Sequence, residues 1–243
     1  AAAEAAWIHG RLLGHMLHDL GITVECAPVC DVPVEGAHDV IGDRAFGDDP
    51  QLVGALARVS CLGLLDAGVL PVVKHLPGHG RAFADSHLEL PVVDADRVEL
   101  TRTDFVPFTI VADMPLGMVA HVVYTAIDPD RPASVSPTVI GETIRTALAF
   151  DGLLFSDDMS MQALDGGMAE RTGALLGAGC DIVVHCNGDM AEMRAVAEAV
   201  RPMDEAACVR WARAQARLRP PSAIDPAALR ARLDALLGGE AEA

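Results

Sequence analysis

Short apolar runs alternate along the chain with longer stretches in which apolar residues recur every three or four positions. The runs are TVECAPVCD (23–31), VLPVVKH (69–75), LGMVAHV (116–122), GLLFSD (152–157) and DIVVHC (181–186). Each is β-branched and almost wholly apolar, as strands buried on both faces must be. Between them lie helical patterns. The first places Ile8, Leu12, Leu13, Met16, Leu17 and Leu20 on one stripe and closes at Gly21, a residue suited to a left-handed helix end. Asp49-Pro50, Ser136-Pro137 and Asp225-Pro226 each join a capping residue to a proline at the first helical position, marking three further helix starts.

Apolar strands alternating with helices predict a parallel sheet covered on both faces, either doubly wound or a (β/α)8 barrel. Asp31, Lys74 with His75, His121, Asp157 and Asn187 all fall at or just past the C-terminal end of a run. Barrel enzymes assemble sites there from many strands, whereas a doubly wound sheet concentrates chemistry at one switch point; no Gly-rich dinucleotide loop follows any strand. The expected fold class is therefore α/β, a (β/α)8 TIM-type barrel in one domain over residues 1–243, with a flexible tail at about 238–243. Five strands cannot close a barrel of eight. The first three strand-helix units are accordingly expected to be missing from the chain, which would expose two sheet edges and part of the apolar interior.

Composition narrows the function. Hydrophobic residues make up 51% of the chain, yet no run approaches the roughly 18 apolar residues of a membrane span. A net charge of −17 repels nucleic acid and anionic membranes, so the expected partner is a small neutral or weakly charged molecule, and the protein is expected to be a monomer. The six cysteines are scattered without metal-type spacing; Cys26 and Cys30, four apart on an extended strand, are too distant to bridge. Reduced thiols and a reducing compartment are expected.

The densest polar cluster is KHLPGHGRAFADSHLELP (74–91). Asp85 and His87 are two apart, so an extended backbone turns both to one face, where the carboxylate can orient the imidazole and raise its pKa as an acid/base group requires. A surface loop with incidental polar residues is the competing interpretation. The second cluster is GLLFSDDMSM (152–161), in which two acids end an apolar strand. Alternation allows only one of Asp157 and Asp158 to face inward, leaving the other as a cap or hydrogen-bond partner. A carboxylate across a barrel mouth from an acid/base group suits a retaining glycosidase. His75, His79, Asp85 and His87 could alternatively be assembled into a metal site, and Lys74 could form an imine as in a lyase. A sugar-binding remnant without turnover is a third alternative. His121 suits either a pocket wall or a hydrogen-bonded core position; Tyr124, the sole tyrosine, suits a loop over the site.

KHLPGHG, the following DSH, and SDDMSM resemble the signature blocks of glycoside hydrolase family 3 β-N-acetylhexosaminidases. The likeness extends in order through ECAPVCDV, IGDRAFGDDP, MVAHVVYTAIDPDRPASVSP and AGCDIVVHCN, from about Trp7 to Asn187. It implies Asp157 as nucleophile, His87 as general acid/base, Asp85 as the partner tuning His87, and Arg44, Lys74 and His75 as ligands of sugar hydroxyls. The bacterial enzymes of cell-wall recycling are the most similar subgroup, implying as substrate N-acetylglucosamine β-linked to 1,6-anhydro-N-acetylmuramic acid, with or without peptide. No metal or organic cofactor is implied. The family's upstream DQEGGRV-type block has no counterpart in this sequence.

Overall fold

The computed structural model of the protein describes residues 1–82 and 90–238. All five apolar runs contribute strands to one parallel sheet: β1 (Val24–Glu25), β2 (Leu70–Leu76), β4 (Leu116–Val119), β6 (Leu153–Asp158) and β7 (Ile182–Val184), adjacent in chain order. Three of the strands are shorter than their runs, β7 taking only Ile182–Val184 from DIVVHC. The first pairs only over Val24–Glu25 and again as a single bridge at Val29, because Pro28 between them has no N–H to give the ladder. β4 ends at Val119, and Val123–Tyr124 leaves as β5 to pair with β3 (Val92–Val93) in a separate two-stranded sheet. β1 and β7 are the edges of the main sheet, which among the described residues does not close.

The helices are α1 (Ala2–Asp19), α2 (Pro50–Asp66), α3 (Arg97–Arg102), α4 (Val106–Ile110), α5 (Met168–Ala178), α6 (Met190–Ala199), α7 (Glu205–Gln215) and α8 (Pro226–Leu236). Asp49 and Asp225 cap α2 and α8 through their side chains, and Ser136 accepts from the Val139 N–H at 3.1 Å, as the sequence predicts. The segment that follows Ser136 is wound as a π-helix over Val139–Ala147 instead of an α-helix. Gly21, at φ +78°, ends α1, with its N–H and that of Ile22 donating back to His18 and Leu17.

The α1 stripe is only partly correct. Met16 and Leu20 are exposed, and the buried face is built from Ile8, Gly10, Leu12 and Gly14 instead. The reason is close packing: a Cβ on Gly10 would lie 2.3 Å from the Ser60 carbonyl oxygen of α2, and one on Gly63 2.4 Å from that of Trp7. Helix backbones meet where side chains are absent, so Met16 and Leu20, beyond that seam, are left exposed among the described residues.

One face of the sheet carries the main core, including Val73, Leu76, Phe108, Val119, Phe150 and Leu154. On the other face, Leu70, Leu116 and Leu153 at the strand beginnings are covered by Ala207, Trp211 and Ala214 of α7. With α7 closing the lower part of this face, the C-terminal ends of the strands remain open as a cavity. The tail lies outside the described residues from 239 onward.

Candidate active site

A cavity of about 290 Å3 opens at the C-terminal ends of the strands. It is lined by Arg44, Lys74, His75, His79, Asp157 and Asp158, with Cys26, Val40, Ile41, Met118, Met161, Val184 and Cys186. Four of the six residues singled out from the sequence, Arg44, Lys74, His75 and Asp157, thus meet in one place. Asp85 and His87 lie outside the described residues. The residues flanking them are firmly held. On one side Arg81 pairs with Asp104 at 2.7 Å and with Glu99 at 2.7 Å; on the other, β3 is paired to β5. The Tyr124 hydroxyl donates to the Gly78 carbonyl at 2.5 Å, fixing the same loop, which agrees with the expectation for this tyrosine.

Two one-residue bulges shape the cavity. The step from Val73 to Leu76 on β2 faces the shorter step from Gly117 to Val119 on β4, and that from Phe155 to Asp158 on β6 faces Ile182 to Val184 on β7. The extra residue in each case falls at Lys74-His75 and at Ser156-Asp157. A bulge breaks the strict alternation of a strand and re-aims its side chains. Hence adjacent Lys74 and His75 both line the cavity, as do adjacent Asp157 and Asp158. The expectation that only one of the two aspartates faces inward is corrected on this point. Their roles still differ: among the described residues Asp158 accepts from Ser160 N and Oγ and from Cys186 N, whereas Asp157 accepts only from the Asp158 N–H, at 2.8 Å. Asp157 is the less committed carboxylate.

Burial alone would push the Asp157 carboxyl upward, but the neighbouring His75 imidazole, His121 and the Asp158 N–H outweigh it and hold it below the usual carboxylate range. It is therefore ionised at neutral pH. Asp31, read from the sequence only as a polar strand end, is wholly buried beneath the cavity. It accepts from His75 Nδ1 at 2.7 Å, His75 N at 3.2 Å and His79 N at 2.7 Å. Against burial, which raises it, those partners keep this carboxyl low as well. His121 is a core histidine: Nδ1 pairs with Ser134 Oγ at 2.7 Å, Nε2 with the Asp158 carbonyl at 3.1 Å, and burial lowers its pKa. It supports the backbone beside Asp157 from behind. Among the described residues no group of three or more His, Cys, Asp or Glu side chains could hold a metal ion, and no helix is long and apolar enough to cross a membrane.

Residues 2–217 match the N-terminal domain of glycosyl hydrolase family 3. The chain belongs to that family. Two curated relatives are β-hexosaminidases, from Thiobacillus denitrificans, 42% identical over 190 residues, and from Alkalilimnicola ehrlichii, 44% identical over 182 residues. The matches cover 76% and 73% of this chain and 52% of each relative, so the chain spans about half the length of these family 3 proteins. Among solved family 3 structures, a β-N-acetylglucosaminidase from Paenibacillus superposes with a TM-score of 0.84 at 29% identity, over 96% of this chain and 50% of that one. NagZ from Neisseria gonorrhoeae in complex with N-trifluoroacetyl-D-glucosamine superposes with a TM-score of 0.78 at 33% identity, over 95% of this chain and 65% of that one.

Proposed function

We propose that the protein acts as a retaining β-N-acetylglucosaminidase, with Asp157 as nucleophile and His87, tuned by Asp85, as general acid/base. The observation that carries this reading is the convergence of Asp157, Lys74, His75 and Arg44 on one cavity at the strand ends. An ionised Asp157 attacks the anomeric carbon while His87 protonates the departing glycosidic oxygen, giving a glycosyl ester; His87 then takes a proton from water, which displaces the carboxylate with net retention. Lys74, His75 and Arg44 hold the sugar hydroxyls. The substrate is terminal N-acetylglucosamine on peptidoglycan fragments, N-acetylglucosaminyl-1,6-anhydro-N-acetylmuramic acid with or without peptide, turned over during cell-wall recycling in the cytoplasm. The sugar analogue bound by the gonococcal relative supports the sugar class. In this reading the five-stranded sheet is part of a (β/α)8 barrel.

The intact natural protein is expected to release 4-nitrophenol from its β-N-acetylglucosaminide, with the β-anomer of the sugar formed first. Asp157→Ala is expected to lower kcat by at least about a thousand-fold. Initial formation of the α-anomer, or borohydride trapping of substrate on Lys74, would refute the mechanism.

A further inference from the structure

Of the three histidines buried among the described residues, His75 and His121 are held by hydrogen bonds to their rings. His121 is fully enclosed and both its ring nitrogens have partners. His79 departs from that pattern. It is only 3% exposed and lines the same cavity as Asp157, yet among the described residues its ring makes no hydrogen bond, and its Nδ1 is sealed from solvent without a partner. Nor is the ring loosely placed. Asp31 accepts from the backbone N–H of His79 at one end of the turn and from the backbone N–H and Nδ1 of His75 at the other. The two imidazoles pack edge to face, with centroids 5.7 Å apart and planes at 64°. A polar group held this firmly without a partner is normally retained for something that binds.

The tautomer follows from the enclosure of Nδ1. Burial lowers the His79 pKa, and His75 beside it pushes the same way, so the ring is neutral at physiological pH and carries a single N–H. An enclosed N–H without an acceptor is a rarer and more costly defect than an enclosed lone pair. The proton is therefore assigned to Nε2, the ring nitrogen that is not sealed without a partner, so the ring offers a neutral hydrogen-bond donor.

We propose that His79 is a specificity residue of this cavity, donating from Nε2 to an oxygen of the sugar bound beside Asp157. This rests on the glycosidase reading above and adds a residue to it. The role suits a neutral donor. Unlike Lys74 and Arg44, it brings no charge that would pair with the Asp157 carboxylate and hold it away from the anomeric carbon. A sugar presents hydroxyl and acetamido oxygens, each of which can accept.

The test compares three substitutions in the intact natural protein. His79→Gln places an amide N–H near the position of Nε2, His79→Asn reaches only as far as Nδ1, and His79→Phe keeps the ring without a donor. Loss of one neutral hydrogen bond is expected to raise KM, and the Kd for N-acetylglucosamine measured by calorimetry, by about three- to ten-fold. That loss is expected in the Phe and Asn variants, with kcat changed less and with Gln recovering most of it. Wild-type KM and Kd in His79→Asn would overturn the proposal. So would equal losses in the Asn and Gln variants accompanied by equal falls in Tm, which mark a packing role. If His79→Phe fails to fold, the Asn and Gln pair still decides. Absence of hydrolysis by the wild-type protein would count against the glycosidase reading, while the calorimetric comparison would continue to read His79.

Discussion

Asp31 touches no part of the cavity surface, yet three N–H groups of the residues that form it end on its carboxylate. Its replacement by Asn turns an acceptor-only group into one that presents N–H to N–H. The expected cost at neutral pH is about 3 kcal/mol in urea denaturation, since a buried charge-assisted cluster is broken from one side. The pH dependence of stability separates the groups involved. Asp31 is depressed in the folded state, so its stabilisation is complete above the unfolded value of about 3.9 and is lost as pH falls through the lower folded value. Asp157 contributes with the same sign. His79 and His121 are also depressed; the unfolded chain takes up protons that the folded chain refuses, so stability declines as pH drops below about 6.5. Denaturation series between about pH 3 and pH 8 are therefore expected to show two falling segments in the wild type; Asp31→Asn flattens the more acid one and, since the Asp31 carboxylate raises the His79 pKa, steepens the other. At this scale Asp157, Lys74 and His75 were legible in the sequence because polar residues at the ends of apolar strands are conspicuous, whereas Arg44, in the turn Gly42–Arg44, was named only through the family resemblance. Asp31 was visible but not its role, because the contacts that define it come from residues 44 and 48 positions away. Whether both members of an adjacent pair face inward depends on bulges, and a bulge leaves no mark in a run such as VLPVVKH.

Among the elements, the α1–α2 pair is where helix propensity and packing disagree. Alanine favours a helix interior over glycine by about 1 kcal/mol, so Gly63→Ala would stabilise an isolated α2. In the folded chain the new methyl meets the Trp7 carbonyl oxygen at 2.4 Å and the Arg11 nitrogen at 2.8 Å, both backbone atoms that no rotamer change can move. The helices must separate, which costs about 1–3 kcal/mol as other overpacked sites do. Gly63→Ala is thus expected to lower Tm by several degrees, and an unchanged or raised Tm would show that α1 is free to shift. The same conflict explains why the stripe over α1 was misjudged. Periodicity weighs large apolar side chains, and a seam made by Gly10, Gly14 and Gly63 contributes nothing to it. Caps were read more reliably, because Asp49 and Asp225 act within three residues of themselves and need no tertiary partner.

At the scale of the whole molecule, the strands of the main sheet were legible because a buried parallel strand needs an uninterrupted apolar run, and each of the five runs occupies its own place in it; the short β3 and β5 of the second sheet were not anticipated. Strand length was not legible, because it depends on pairing with neighbours. β2, β4 and β6 have partners on both sides, and their residues are largely buried; among the described residues β1 and β7 are paired on one side only, and they are half-buried throughout. Local opening needs fewer contacts broken at such edges. In amide exchange on the 243-residue chain, Val72, Val73, Gly117, Met118, Leu154 and Phe155 are expected among the most protected positions. Val24, Glu25 and Ile182 to Val184 are expected to exchange faster by at least about ten-fold, since each 1.4 kcal/mol of easier opening is one decade. Because Cys26 follows β1 and Cys186 follows β7, with both lining the candidate cavity, loosening of either edge also loosens a wall of the site. Equal protection across all five strands would mean that the edges are covered in solution, for example by a second copy of the chain, and exchange repeated at a tenth of the protein concentration would separate self-association from an intrinsically stable edge.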